Sequence, residues 1–166
     1  MLLTLGVLRG LVLIKKIMQI FLPFLDIVEV AICLDSRRLH KQIVECKQIV
    51  KAITGESEAW KNHPVVKMYK NNVDFVKAYT DVLEKYWILY KENKPLSYIK
   101  AELKELNSKA IQLLPSFVKD EEYLNTMKGR LYVKNPTFYE GFSSYEKYGD
   151  KNMYFVDGEW KIYKQK

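Results

Sequence analysis

The sequence predicts a mainly α, single compact multi-helix domain that closes on an aromatic-rich C-terminal segment with a small β-hairpin. Three observations carry that expectation. Leu39, Ile43, Cys46, Val50 and Ile53 recur at alternating four- and three-residue spacing, the signature of one buried helix stripe. Val65, Tyr69, Val73, Val76, Tyr79, Leu83, Tyr86 and Tyr90 repeat the pattern over a longer stretch. Near the end, Asp157-Gly158 lies between MYFV and EWKIY, a two-residue turn flanked by aromatic and β-branched residues. At 166 residues the chain is long enough to bury a core without metals or disulfides, and it carries no repeat, low-complexity tract or linker.

The elements follow in order. Residues 1–17, MLLTLGVLRGLVLIKKI, are an apolar extension set apart from a domain over 18–166. They resemble a signal-peptide core but lack a preceding basic region and a small-residue cleavage site. They are also shorter than the roughly 20 residues of a membrane span, and Arg9 and Gly10 interrupt them. Three readings stand: an upstream start codon with Met18 as the true start, an added element packed on the domain, or an interfacial anchor. The first helix covers the stripe through Ile53, with Asp35 or Ser36 as its cap. TGESEAW is a turn-rich connector, and Asn62-His63-Pro64 opens one long helix ending near Asn93, ahead of Pro95. A helix over 96–113 is closed by Pro115, a shorter one spans about 121–133, and Pro136 introduces the aromatic segment and hairpin.

Twenty-seven Lys and Arg against twenty Asp and Glu give a net charge of +7, which favours an anionic partner. Three of the positive charges, Arg9, Lys15 and Lys16, lie in the extension, so local clustering carries more information than the total. Cys33 and Cys46 sit in or beside apolar runs and read as core thiols of a reducing, cytoplasmic compartment. With only His40 and His63 available, no metal site is expected, and no cofactor.

Chemistry concentrates on the helix of residues 34–49, LDSRRLHKQIVECKQI. At about 100° per residue, Arg38, Lys41, Gln42 and Glu45 fall on one flank of its apolar stripe, with His40 and Lys47 on the other. A carboxylate ringed by cations and an amide can hold a phosphate backbone while aiming one acid/base group at a sugar. The plain alternative is a solvated helix face with an i to i+4 Lys41/Glu45 pair. In the last 35 residues Tyr132, Phe138, Tyr139, Phe142, Tyr145, Tyr148, Tyr154, Phe155, Trp160 and Tyr163 are interleaved with lysines, among them Lys134. Such rings can stack unpaired bases beside phosphates, or close the core.

The order of motifs adds a resemblance. MQIFLPF at 18–24, CLDSRRLHKQIVE at 33–45, WKNHPVVKMY at 60–69 and LYVKNPTFY at 131–139 together resemble the pyrimidine-dimer DNA glycosylase (phage endonuclease V-like) family, most closely its bacterial branch, from Met18 to about Tyr139. The resemblance implies an all-α DNA-repair enzyme that cleaves the glycosidic bond of a damaged pyrimidine in double-stranded DNA and cuts the abasic strand as a lyase. Its nucleophile would be an N-terminal α-amine, here that of Met18 if Met18 is the true start, with Gln19 the alternative after processing. An α-amine is roughly 10% neutral at pH 7, against about 0.04% for an ordinary lysine. Glu45 matches the family's catalytic glutamate. Arg37, Arg38, Lys41, Gln42, His63, Lys128 and Lys134 are the expected DNA contacts, although His63 could instead cap a helix or bond in the core, and Trp60 reads as packing.

The chain departs from the family pattern at Ile43, which replaces an arginine, and at Thr126-Met127-Lys128-Gly129, which replaces a Ser-His-Arg-Ser run. Two other functions compete: a non-enzymatic DNA-binding protein that retains the fold, and an interfacial membrane protein using residues 1–17.

Overall fold

The computed structural model describes residues 18–164, so the apolar extension 1–17 and its three readings lie outside the described residues. The described chain is mainly helical and ends in one hairpin. Its helices are α1 (Ile27–Cys33), α2 (Ser36–Thr54), α3 (Pro64–Tyr69), α4 (Val73–Lys91), α5 (Leu96–Gln112) and α6 (Glu121–Lys134). Short 3-10 turns cover Ser116–Lys119 and Glu140–Tyr148, and β1 (Lys151–Val156) pairs antiparallel with β2 (Glu159–Lys164). Asp157 and Gly158 both take positive φ, 54° and 80°, as a two-residue hairpin turn requires.

α4 is the central rod, contacted by α1, α2 and α5, while α6 lies against the 140–148 turn and β1 closes over α3. The resulting core joins Leu39, Ile43, Cys46 and Ile49 of α2 to Phe75, Tyr79, Val82 and Leu83 of α4 and to Leu103 of α5. Asp35 is the α2 cap, accepting from the Arg38 amide at 2.9 Å. The stripe is rotated slightly from the expected one. Ile49 and Ala52 are buried, and Val50 and Ile53 are only partly so.

The single helix expected over 62–93 is two. It breaks at Lys70 to Asn72, where Asn72 donates to the Tyr69 carbonyl at 2.8 Å and takes φ −129° and ψ 33°. Consecutive Asn71 and Asn72 favour a turn over helix continuation, and periodic apolar residues on both sides conceal the break.

Residues 18–22 are buried yet belong to no sheet, so side chains must satisfy their backbone. Gln42 accepts from the Phe21 amide at 2.7 Å and donates to the Gln19 carbonyl at 2.9 Å. Tyr79 donates to Phe21 O at 2.7 Å, Tyr123 to Ile20 O at 3.3 Å, and Tyr154 to Met18 O at 3.2 Å. Four elements, α2, α4, α6 and β1, therefore grip one extended strap.

α6 crosses the 140–148 turn at two glycines. A Cβ on Gly129 would stand 2.3 Å from the Tyr145 carbonyl oxygen, and one on Gly149 would stand 2.7 Å from the Gly129 oxygen. Close approach requires glycine at both positions.

Most of the terminal aromatic residues serve packing. Phe155 stacks on Phe117 with centroids 5.0 Å apart and Trp160 on Tyr123 at 5.1 Å, while Tyr139 and Tyr154 are buried. Phe138 differs, with 54% of its surface exposed. No helix among the described residues is long and apolar enough to cross a membrane.

Candidate active site

Phe21 of the strap, Arg37, Arg38, Lys41, Gln42 and Glu45 of α2, and Lys134 at the end of α6 line one cleft of about 230 Å³. Helical spacing places the α2 members together, and the strap and α6 supply the other walls. Glu45 is the cleft's single carboxylate, among four cations.

Its environment is mixed. Burial pushes the Glu45 carboxyl above its usual value, and Lys41, with Nζ 3.6 Å from Oε1, and Lys134 draw it down less strongly. A carboxyl poised in this way exchanges protons more readily near neutral pH than an ordinary surface carboxylate.

The cations differ in how far they are committed. Arg38 pairs with Asp35 at 2.8 Å, and Asp35 also exchanges hydrogen bonds with the Tyr139 hydroxyl, each 2.9 Å long. Burial would raise Asp35, but these bonds prevail and hold its carboxyl below the usual value. Arg38 Nε is nevertheless buried with no hydrogen-bond partner among the described residues. Lys134 has neither a hydrogen bond nor an ion pair among the described residues. Removal from water, reinforced by Arg130, Arg38 and Lys41, lowers its amine to about 8, with Glu45 pulling the other way.

Met18 is 3% exposed. It reaches this region through Tyr154, whose hydroxyl holds the Met18 carbonyl and whose phenol feels the Glu45 charge. The strap thus runs beside α2, within the electrostatic range of Glu45.

Residues 18–94 match the family model of pyrimidine dimer DNA glycosylases. Over that segment, somewhat less than half of its length, the chain is similar to pyrimidine dimer DNA glycosylases. That family's chemistry is DNA-repair base excision, and the match supports an enzyme of glycosylase type at the level of the family. No curated protein and no solved structure matches the chain.

In the folded chain, the residues singled out from sequence separate. Glu45, Arg37, Arg38, Lys41, Gln42 and Lys134 share the cleft, and His63 and Lys128 do not line it. Gln42 needs correction as a residue of the polar flank. It is 1% exposed, and both ends of its amide are engaged by the strap backbone, so it builds the cleft wall. His63 takes the capping alternative: it is 6% exposed, and its Nδ1 accepts from the Val65 amide at 3.1 Å. Its ring sits edge-on to Tyr154 and Trp60. Lys128 Nζ lies 4.8 Å from the Tyr145 ring centroid and 5.6 Å from that of Phe24. The altered run around it has a structural account, since Thr126 bonds Met153 Sδ at 3.2 Å inside the core and Gly129 permits the helix crossing.

Sequence reasoning missed Arg130, which is buried, donates from Nη1 to the Gly149 carbonyl at 3.0 Å, and presses electrostatically on Lys134. It also missed Tyr154 as the anchor of Met18. Arg130 immediately precedes LYVKNPTFY, a position that could have drawn attention, whereas nothing local marks Tyr154.

Proposed function

We propose that this protein is a DNA glycosylase that excises damaged pyrimidines, pyrimidine dimers among them, from double-stranded DNA and then acts as an abasic-site lyase. The observation that carries the reading is Glu45, a carboxyl raised by burial at the floor of a cleft rimmed by Arg37, Arg38, Lys41 and Lys134. Phosphates of a distorted duplex engage the cations, and an extruded nucleotide brings its sugar to Glu45.

In the chemistry we infer, a neutral amine attacks C1′ and the C1′–N bond breaks, its electron pair leaving with the base. The sugar ring then opens to a protonated imine. Glu45 stabilises the developing positive charge, then accepts the C2′ proton as the 3′ phosphate departs. In a form of the protein beginning at Met18, the attacking group is the Met18 α-amine, on the strap that runs beside α2.

The test incubates the Met18-initiated form with ultraviolet-irradiated and abasic duplexes and adds borohydride. A trapped adduct, lost on Glu45→Gln while DNA binding persists, is the expected result. Binding without base release or adduct would overturn the reading and leave a non-enzymatic DNA-binding protein.

A further inference from the structure

We propose that Lys134 is a second reacting amine of this cleft, condensing through Nζ with the C1′ aldehyde of an abasic sugar whenever the Met18 nitrogen is not a free amine. The proposal rests on the lyase reading above and changes only the origin of its amine.

The geometry starts from the cleft walls. Lys134 is the last residue of α6, facing the α2 residues Glu45, Arg38 and Lys41 across a cavity of sugar-phosphate size. Among the cleft's lysines, Lys41 is paired with Glu45, and Lys134 has no ion pair among the described residues. An unpaired ammonium beside other cations gives up its proton most easily, one of the general ways in which a lysine becomes nucleophilic. Part of the push on Lys134 comes from the Arg130 and Arg38 guanidinium groups across the cleft wall. At a pKa of about 8, roughly 10% of the amine is neutral at pH 7, against about 0.04% for an ordinary lysine. The gain is more than a hundredfold, and it brings Lys134 to the level of an α-amine.

The α-amine route depends on where the polypeptide begins, because a Met18 preceded by another residue has an amide nitrogen without a nucleophilic lone pair. Lys134 is present in every form. The step balances without a further reactant. Neutral Nζ adds to the aldehyde carbon to give a carbinolamine, one water leaves, and the protonated imine remains. Glu45 supplies the proton that makes hydroxide a water molecule, then takes the C2′ proton as the C3′–O bond breaks and the phosphate departs. Water hydrolyses the imine and regenerates Lys134.

The experiment uses the full 166-residue chain, abasic and ultraviolet-irradiated duplexes and borohydride, followed by tryptic peptide mapping. The expected adduct lies on Lys134 and blocks cleavage after it. Lys134→Arg retains the charge but has no neutral amine, so the adduct is lost although the duplex is still bound. The trapping rate of the unaltered protein rises with pH to a half-point near 8. Mapping on the unaltered chain does not depend on any variant folding. An adduct on another amine, or base release with no adduct, overturns the assignment and leaves the glycosylase reading standing. Neither adduct nor base release from damaged duplexes overturns both.

Discussion

Gln42 and Phe21 are joined by a 2.7 Å hydrogen bond from the Phe21 amide to the Gln42 side-chain oxygen, while the other end of the same amide holds the Gln19 carbonyl at 2.9 Å. One α2 side chain thus stands in for a neighbouring β-strand. Gln42→Leu would leave a buried N–H and a buried C=O without partners, at a cost of about 2–5 kcal/mol. Urea unfolding should show a lower midpoint with an unchanged slope. Because the strap carries Met18 and Phe21, cleavage activity should fall further than the folded fraction does.

Glu45→Gln separates chemistry from stability. Removing the proton acceptor should lower single-turnover cleavage by about 10²- to 10⁴-fold with duplex affinity retained. Stability should move the opposite way. The folded carboxyl binds its proton more tightly than the unfolded one, so its contribution is present below the unfolded value and is lost as pH rises through the folded one. At neutral pH the ionised Glu45 therefore destabilises the fold, and the Gln variant should melt at a temperature equal to or above that of the parent. That advantage should vanish below the ordinary carboxylate value. In the parent, the acid limb of the pH-rate profile should lie above the ordinary 4.5.

Gly129→Ala tests the crossing of α6 over the 140–148 turn. A methyl group 2.3 Å from a backbone oxygen forces the two elements apart, and about 1–3 kcal/mol of stability should be lost. Thermal melting reads this directly. Since α6 carries Lys134, the Lys134 half-point should also move toward that of an ordinary lysine.

Arg37 is exposed at the cleft rim without an ion pair among the described residues. Arg37→Ala should weaken binding to damaged and undamaged duplexes alike and reduce the slope of log affinity against log salt by about 0.9 if one phosphate contact is lost. Titrations at several salt concentrations check it, and a loss confined to damaged duplexes would contradict the assignment.

Much of the fold was legible in the chain. The α2 stripe, the helices at 96–112 and 121–134 and the Asp157-Gly158 hairpin follow from local periodicity and turn chemistry, which act over a few residues. The break at Asn71-Asn72 escaped because the apolar spacing of α3 runs on into α4, and only backbone dihedrals reveal the turn. The aromatic segment left two readings open for a related reason: a ring that stacks on a base and a ring that stacks on Phe117 look the same in sequence.

By itself the sequence determined that Glu45 shares a helix flank with Arg38, Lys41 and Gln42, because helical geometry fixes which residues are neighbours. It also determined the helical class, through the spacing of apolar residues that must be buried. Only the tertiary structure decided what those neighbours do. Burial raises Glu45, turns Gln42 inward to hold the strap, and sets His63 as a cap. It also brings Lys134, more than ninety residues downstream, against Arg38 and Lys41. Desolvation and charge crowding depend on through-space distance, so a pKa and a partner belong to the folded arrangement, whereas the residues available for it belong to the chain.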